Sequence, residues 1–452
     1  MNISADTFIV IGTGKSGVAA CELLLNKGGN AYLYDGNEQL DIDSFYKKNP
    51  QLAEVKIYLG DSVNEILDKV DIAILSPGVP VDSPLVEDMK SRGITIWGEI
   101  ELAYRLGAGR VVAITGTNGK TTTTSLTGEI MARYFSDVKV VGNIGIPYTA
   151  LAADMTDDTV VVAEISSFQL ETIEEFAPKV TAILNITPDH LNRHHTMEKY
   201  IEAKESITTN QKPGDVCVLN YEDDVLREFG QSLDLDVVYF SSERKLENGL
   251  YLSGEEIRYS KNEMDELVIN VNELNILGKH NFENVMAAVA MADAMGVPMD
   301  VIVQGLKSFT AVEHRIEFVC TKNDVDFYND SKGTNPDAAI KGILAMNRKT
   351  VLIGGGYDKD SEYDEWIESF GDKVIKLVLI GQTKKKIAKC CDKHGFKDYV
   401  FAETLEEAID ISYETARPGD AVLLSPACAS WGMFDNYEQR GDIFKEYVRN
   451  LG

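Results

Sequence analysis

The chain has 452 residues, 44% of them hydrophobic and 26% charged, with a formal net charge of −28. The apolar share supports packed cores and excludes a disordered chain, and the length suggests two to four domains. Strong negative charge repels nucleic-acid phosphates, so nucleic acid is not an expected partner.

The opening MNISADTFIVIG lacks a basic leader and a small-residue cleavage site. It reads as a first core strand, and no apolar run reaches the length of a membrane span. A soluble cytoplasmic protein without membrane attachment is expected. The six cysteines form no CxxC pair, which gives a zinc site little support and fits reduced thiols.

Strand signals at Phe8 to Ile11, Ala31 to Tyr34 and Ile72 to Leu75 alternate with a helix signal at Val18 to Leu25. That alternation predicts a parallel sheet with crossover helices. Gly12-Thr13-Gly14-Lys15-Ser16-Gly17 follows the first strand and opens the helix, and Asp35 ends the next strand. The pattern suits a diphosphate on a helix N-terminus with an acid on a ribose; a plain strand–helix turn is the bland alternative. Arg105 to Gly109 is Gly-rich and non-periodic, and predicts a linker.

A second unit begins at Val111 to Ile114, which runs into Gly116-Thr117-Asn118-Gly119-Lys120-Thr121-Thr122 and a helix. Glycines let several backbone N–H groups face one anion, Lys120 adds charge at the outer phosphates, and the Thr121 hydroxyl suits Mg²⁺. The loop is a shortened variant of G-x-x-x-x-G-K-S/T, with Ile114 where the longer form has Gly. It predicts ATP binding. Further strands are expected at Val160 to Ala163, Thr181 to Leu184 and Val216 to Leu219. Glu164 ends one of these beside the phosphate loop, where a carboxylate can hold Mg²⁺. His190 follows the next as a metal ligand or phosphate contact, unless this is merely a polar loop. Lys204, in the next helix, reads on its own as a solvent-facing lysine. Phe240 to Val271 predicts a small antiparallel excursion, Asn284 to Met295 a helix, and Thr310 to Glu313 a boundary. The last unit carries strands at Val325 to Tyr328, Thr350 to Ile353, Val374 to Ile380 and Ala421 to Leu424. The fold class is α/β.

The motifs GTNGKTT, EISSFQL, NITPDHLNRH, LGKHNFENVMAA, VEHRIE, NDSKGTNPDA and SPACASW occur in this order. Together they resemble the Mur ligases of peptidoglycan assembly, and the last two most resemble the D-glutamate-adding members. The resemblance implies three domains: residues 1–106, Rossmann-like, for a UDP-sugar; residues 107–312, a central ATPase; and residues 313–452, Rossmann-like, for an amino acid. It implies an ATP-dependent amide ligase joining D-glutamate to UDP-N-acetylmuramoyl-L-alanine through an acyl phosphate, acting as a monomer. Another Mur ligase, a folylpolyglutamate-synthase-like ligase and a non-catalytic nucleotide-binding regulator are the alternatives. The first glycine loop then serves UDP rather than a nicotinamide.

By the same resemblance, Gly14, Lys15, Ser16, Asp35, Gly36, Gly78, Asn143, Ser166 and Gln169 match UDP-sugar positions. Gly36-Asn37 stands where relatives often have Thr-Arg. Thr121, Glu164, His190 and Lys204 match a two-Mg²⁺ site in which the lysine is carbamylated, and Lys120, Glu164, His190 and Lys204 are the expected catalytic set. Asn281, Asn284, Arg315, Asp330 and Lys332 match nucleotide contacts. Thr334, Lys359, Ser430 and Tyr437 match D-glutamate contacts; Tyr437 replaces a common Phe, and Trp431 a Leu. The Asp-Asn-Pro motif of diamino-acid-adding members is absent from the sequence. Lys120, Arg193, Arg315, Lys332 and Lys359 are expected to form a positive cleft for anionic substrates.

Overall fold

Runs of β-branched residues buried on both faces alternate with helices three times along the chain, and each series builds one mostly parallel sheet. The computed structural model describes residues 3–143, 145–310 and 312–451. The first two residues of the N-terminal reading, and residue 311 within the expected boundary, lie outside them. The chain divides into two compact units, residues 1–269 with 283–306 and residues 270–282 with 307–452.

The first unit holds two sheets. One contains β1 (Thr7–Ile11), β2 (Asn30–Asp35), β3 (Ile57–Leu59), β4 (Ile72–Leu75) and β5 (Thr95–Gly98), in the order β3-β2-β1-β4-β5. All four pairings are parallel. The order reverses direction at β1, which opens a crevice beyond its C-terminal end.

The other sheet has nine strands: β6 (Arg110–Thr115), β7 (Val138–Gly142), β8 (Val160–Glu164), β9 (Val180–Ile183), β10 (Val216–Asn220), β11 (Asp236–Ser241), β12 (Gly249–Ser253), β13 (Glu256–Lys261) and β14 (Met264–Asn270). Their order is β14-β13-β12-β11-β10-β9-β6-β8-β7. β6 thus lies between β8 and β9 and is parallel to both, so three loops converge at one sheet end. The expected antiparallel excursion begins later than the sequence implies. β11 pairs with β12 in parallel, and the direction reverses only at the hairpin between β12 and β13.

The expected linker at Arg105 to Gly109 is largely a fixed joint. Arg105 and Leu106 close the helix Glu99–Leu106, leaving residues 107–109 as the connection to β6. Glu101, fully buried, accepts N–H bonds from Glu174 (2.8 Å), Glu175 (2.9 Å) and Phe176 (3.0 Å). Arg105 pairs with Glu101 at 2.6 Å, Glu174 at 2.9 Å and Glu175 at 3.1 Å, and lies over the Trp97 ring. A run of small residues had suggested freedom; charge-assisted bonds to a buried acid remove it.

The second unit holds β15 (Glu317–Lys322), β16 (Val325–Asn329), β17 (Thr350–Gly355), β18 (Val374–Ile380), β19 (Tyr399–Phe401) and β20 (Ala421–Leu424), in the order β15-β16-β20-β17-β18-β19. Only β15 runs antiparallel to its neighbour. Residues 270–282 join this unit through Leu277, packed on its core, and through Asn275, whose side chain donates to the carbonyls of Lys307 and Phe309. Among the described residues, no helix is long and apolar enough to cross a membrane.

Candidate active site

The phosphate loop leaves β6 and enters the helix Lys120–Ala132 through Gly119, whose φ of +86° lies in the left-handed region. A Cβ at Gly119 would also meet the Asn284 side-chain oxygen, which accepts from Thr123 Oγ1 at 3.2 Å. The loop is pinned from the β9 side by Asn185, which the sequence reading did not single out. Asn118 N donates to Asn185 Oδ1 at 2.8 Å, Asn185 Nδ2 donates to Asn118 O at 3.1 Å, and Thr117 N donates to Asn185 O at 2.9 Å. The β6–β9 adjacency was the signal for it, and that adjacency is not written in the local sequence.

Two lysines reach one carbonyl of this loop. Lys120 Nζ donates to Gly116 O at 2.7 Å and to Thr117 O at 3.0 Å, while Lys204 Nζ donates to Gly116 O at 2.9 Å. Lys204 is 2% exposed, so the solvent-facing reading of it is wrong. Its ammonium lies over the Tyr200 ring, and Tyr200 OH is 3.0 Å from Thr117 Oγ1. Burial, and then the neighbouring Lys120 charge, hold the Lys204 pKa well below that of an ordinary lysine, against a smaller opposing pull from Asp189.

Glu164 ends β8 opposite Ile114 of β6. It is 2% exposed. Its Oε1 accepts from Asn143 Nδ2 at 2.7 Å, and its carbonyl accepts from Asn143 N at 2.8 Å. Its Oε2 is buried without a hydrogen-bond partner. An orphaned carboxylate oxygen beside a phosphate loop fits a hard divalent cation. Thr121 and Thr122 are buried in the first turn of the following helix.

His190 follows β9 with φ +52° and a half-exposed ring, edge-on to Phe168. His194 is instead a core histidine: it is 2.9 Å from Ser167 Oγ and stacks on Phe168, and burial lowers its pKa. Arg193 donates to Glu171 at 2.6 Å and to Val79 O at 2.9 Å, so it braces the first sheet's turn instead of lining an open cleft. Ser166 and Gln169 satisfy each other as a helix capping box.

Six of the expected sugar-nucleotide residues, Gly14, Lys15, Ser16, Asp35, Gly36 and Gly78, line one cavity of about 830 Å³ at the end of β1. Asp35 braces its rim, accepting from Thr13 N (3.1 Å), Thr13 Oγ1 (2.5 Å) and Asn37 N (2.9 Å). These bonds outweigh partial burial and lower its pKa. Asn143, Ser166 and Gln169 do not line this cavity; Asn143 lies against Glu164.

In the second unit, Asp330 is buried, accepting from Ser425 Oγ at 2.7 Å and Ile316 N at 3.3 Å. Burial raises its pKa to about 6. Lys332 lies over the Tyr437 ring, and Ser331 Oγ donates to Tyr437 O at 2.8 Å. The buried Arg440 joins both motif loops by donating to Ser331 and to Cys428 O. Tyr357 N donates to Ala429 O at 2.9 Å, zipping together the loops that carry Lys359 and Ser430. Lys359 Nζ sits 4.8 Å above the Trp431 ring, which Tyr357 meets edge-on. Thr334 is half-buried after Lys332, and Asn281 donates to Leu277 O at 2.7 Å. Arg315 and Lys341 add to burial in lowering the pKa of the adjoining His280 to about 3.

A glycine loop with a lysine, an open buried carboxylate beside it and two Rossmann-like sheets define a three-domain nucleotide-dependent enzyme. Family models match in three successive stretches: the "Mur ligase MurD-like, N-terminal domain" over residues 6–98, the "Mur ligase middle domain" over 114–292, and the "Mur ligase, glutamate ligase domain" over 314–428. Two relatives, from Lachnospira eligens and Lachnoclostridium phytofermentans, are each 55% identical over 451 residues. The matches span 100% of this chain and 100% and 99% of theirs, and both relatives are named UDP-N-acetylmuramoylalanine–D-glutamate ligase. The chain belongs to the Mur ligase family. The crystal structure of UDP-N-acetylmuramate-alanine ligase from Thermotoga maritima shares the fold, with a TM-score of 0.61, 19% identity and coverage of 98% of this chain and 99% of that one.

Proposed function

We propose that the chain joins D-glutamate to the alanyl carboxylate of UDP-N-acetylmuramoyl-L-alanine, converting ATP to ADP and phosphate in peptidoglycan precursor synthesis. Full-length identity to relatives of that name carries the reading. The residues of the site supply its chemistry.

A carboxylate is a poor electrophile, so the γ-phosphoryl of ATP is first transferred to it. The D-glutamate amine then attacks the acyl phosphate, a tetrahedral intermediate forms, and phosphate leaves. Lys120 and the backbone N–H groups of Gly116 to Thr122 hold the phosphates, with Asn281, Asn284, Arg315, Asp330 and Lys332 as further nucleotide residues. In binding phosphate, Lys120 gives up its bonds to Gly116 O and Thr117 O. Thr121, Glu164, His190 and carbamylated Lys204 would hold Mg²⁺, which offsets the charge on the phosphates when bound. Lys204 suits carbamylation because a buried, pKa-lowered amine is neutral enough to add CO₂. The N–C bond forms, one proton leaves to solvent, and the side chain becomes an anion. Gly14, Lys15, Ser16, Asp35, Gly36, Gly78, Asn143, Ser166 and Gln169 take the UDP-sugar. Thr334, Lys359, Ser430 and Tyr437 take D-glutamate, and Lys359 pairs with a carboxylate. The domain bounds at 106/107 and 312/313 belong to this same reading.

The test is phosphate release with ATP, Mg²⁺ and UDP-N-acetylmuramoyl-L-alanine, offered D-glutamate, L-glutamate, lysine or diaminopimelate. Release that depends on D-glutamate is expected. Release with another acceptor only, or with none, would overturn the assignment.

A further inference from the structure

One group of side chains in the second unit has no part in the ligase chemistry. Among the described residues, Asp364, Cys390 and His394 form the one set of three His, Cys, Asp or Glu side chains whose ligand atoms all lie within 4.8 Å of one another. Cys390 and His394 are four residues apart on the helix Lys384–Lys393 and its C-cap, so they share a face. Asp364 opens the neighbouring helix Asp364–Glu368, with Oδ1 2.7 Å from His394 Nε2. The other imidazole nitrogen, Nδ1, is 3.4 Å from Glu368 Oε1, one turn further along that helix. Without metal, Nε2 carries the proton that it donates to Asp364. Metal binding moves the neutral imidazole to its Nδ1–H tautomer, whose proton Glu368 is placed to accept, and so frees the Nε2 lone pair for the ion.

We propose that Asp364, Cys390 and His394 bind a zinc-class divalent ion, with Glu368 as the residue that orients the imidazole. A thiolate, an imidazole and a carboxylate select Zn²⁺ or Co²⁺ over the hard Mg²⁺ of the phosphate site. Three protein ligands leave a fourth position for water. A cavity of about 860 Å³ reaches Asp364 and Cys390 and gives that position access to solvent. Binding releases the Cys390 thiol proton to solvent. It also displaces Lys393, an exposed ammonium that pairs with Asp364 and is free to swing away. The competing arrangement is an ion-pair cluster of protonated His394 and Lys393 on Asp364, and it makes opposite predictions.

The full chain, stripped of metal and held in excess Mg²⁺, is titrated with Co²⁺ and followed by absorption. One equivalent is expected to produce a near-ultraviolet thiolate-to-cobalt band that Zn²⁺ then bleaches. Cys390→Ser removes the band, and Glu368→Gln weakens Co²⁺ binding roughly tenfold or more while keeping it. The band identifies this site because no cysteine is assigned to the phosphate site. Circular dichroism confirms that each variant is folded, and His394→Gln provides a second loss-of-band variant should Cys390→Ser unfold. Absence of the band in the parent chain, or its persistence in folded Cys390→Ser, overturns the proposal.

Discussion

The Lys204 ammonium and the Lys120 ammonium both donate to the carbonyl oxygen of Gly116, at 2.9 and 2.7 Å. Two like charges on one acceptor, one of them buried, make the protonated form of Lys204 costly. The neutral amine is the nucleophile that adds CO₂, so the same pair prepares the carbamate. Protein equilibrated with ¹³C-bicarbonate is expected to show one carbamate resonance that Lys204→Ala lacks. The signal falls as pH is lowered, because acid protonates the amine and reverses the addition. Lys204→Ala should lose roughly 10²-fold or more in ligation rate and regain part of it with a small added carboxylate. A fully active Lys204→Ala without that addition would remove the carbamate from the mechanism.

Glu164 presents one oxygen to Asn143 and leaves the other without a partner. Glu164→Gln is expected to lower kcat by about 10²-fold and to raise the Mg²⁺ concentration needed for half-maximal rate. Asn143→Ala frees the carboxylate without removing it and should cost less, about tenfold. Mg²⁺ titrations of initial rate distinguish the two. Equal losses would mean that Asn143 does more than orient Glu164.

Lys359 rests on Trp431 at 4.8 Å. A cation–π contact contributes about 0.5–2 kcal/mol, so Trp431→Ala should raise KM for D-glutamate by roughly 2- to 30-fold with little change in kcat. Trp431→Phe should recover part of the loss. A kcat effect without a KM effect would place Trp431 outside acceptor binding.

Asp330 holds its proton more tightly in the folded chain, because burial lifts its pKa from 3.8 to about 6. Its contribution to stability is therefore fully present below the ordinary carboxylate pKa and is lost as pH rises to about 6. Two pKa units correspond to on the order of 3 kcal/mol. Asp330→Asn should flatten the pH dependence of denaturation between about pH 4 and 6. An unchanged slope would show that the carboxyl is ionised in the folded chain throughout that range.

Local pattern carried most of the strands, because buried parallel strands announce themselves as short apolar runs: the readings at Ile72 to Leu75, Val374 to Ile380 and Ala421 to Leu424 match observed strands residue for residue. Strand order was not legible. It alone brings Asn185 onto the phosphate loop, and it makes β11–β12 parallel where alternation from Phe240 suggested an antiparallel excursion. The burial of Lys204 was equally invisible, since the side chains around it come from distant loops. Arg193 read as a substrate cation because its partners, Glu171 and the Val79 carbonyl, are contributed by separate elements. The Asp364–Cys390–His394 group escaped for the same reason: two of its three residues are a helical i,i+4 pair, and the third lies 26 residues before Cys390.

The joint at Glu101 and Arg105 ties together the stabilities of two different binding sheets. Separating them breaks three N–H bonds to one buried carboxylate and strips Arg105 of Glu174 and Glu175 in the same step, so the first 106 residues and the nine-stranded sheet should melt as a single cooperative block. A sugar nucleotide that touched only the cavity at β1 would then raise the melting temperature of the ATP-binding sheet as well, by mass action on their shared unfolding.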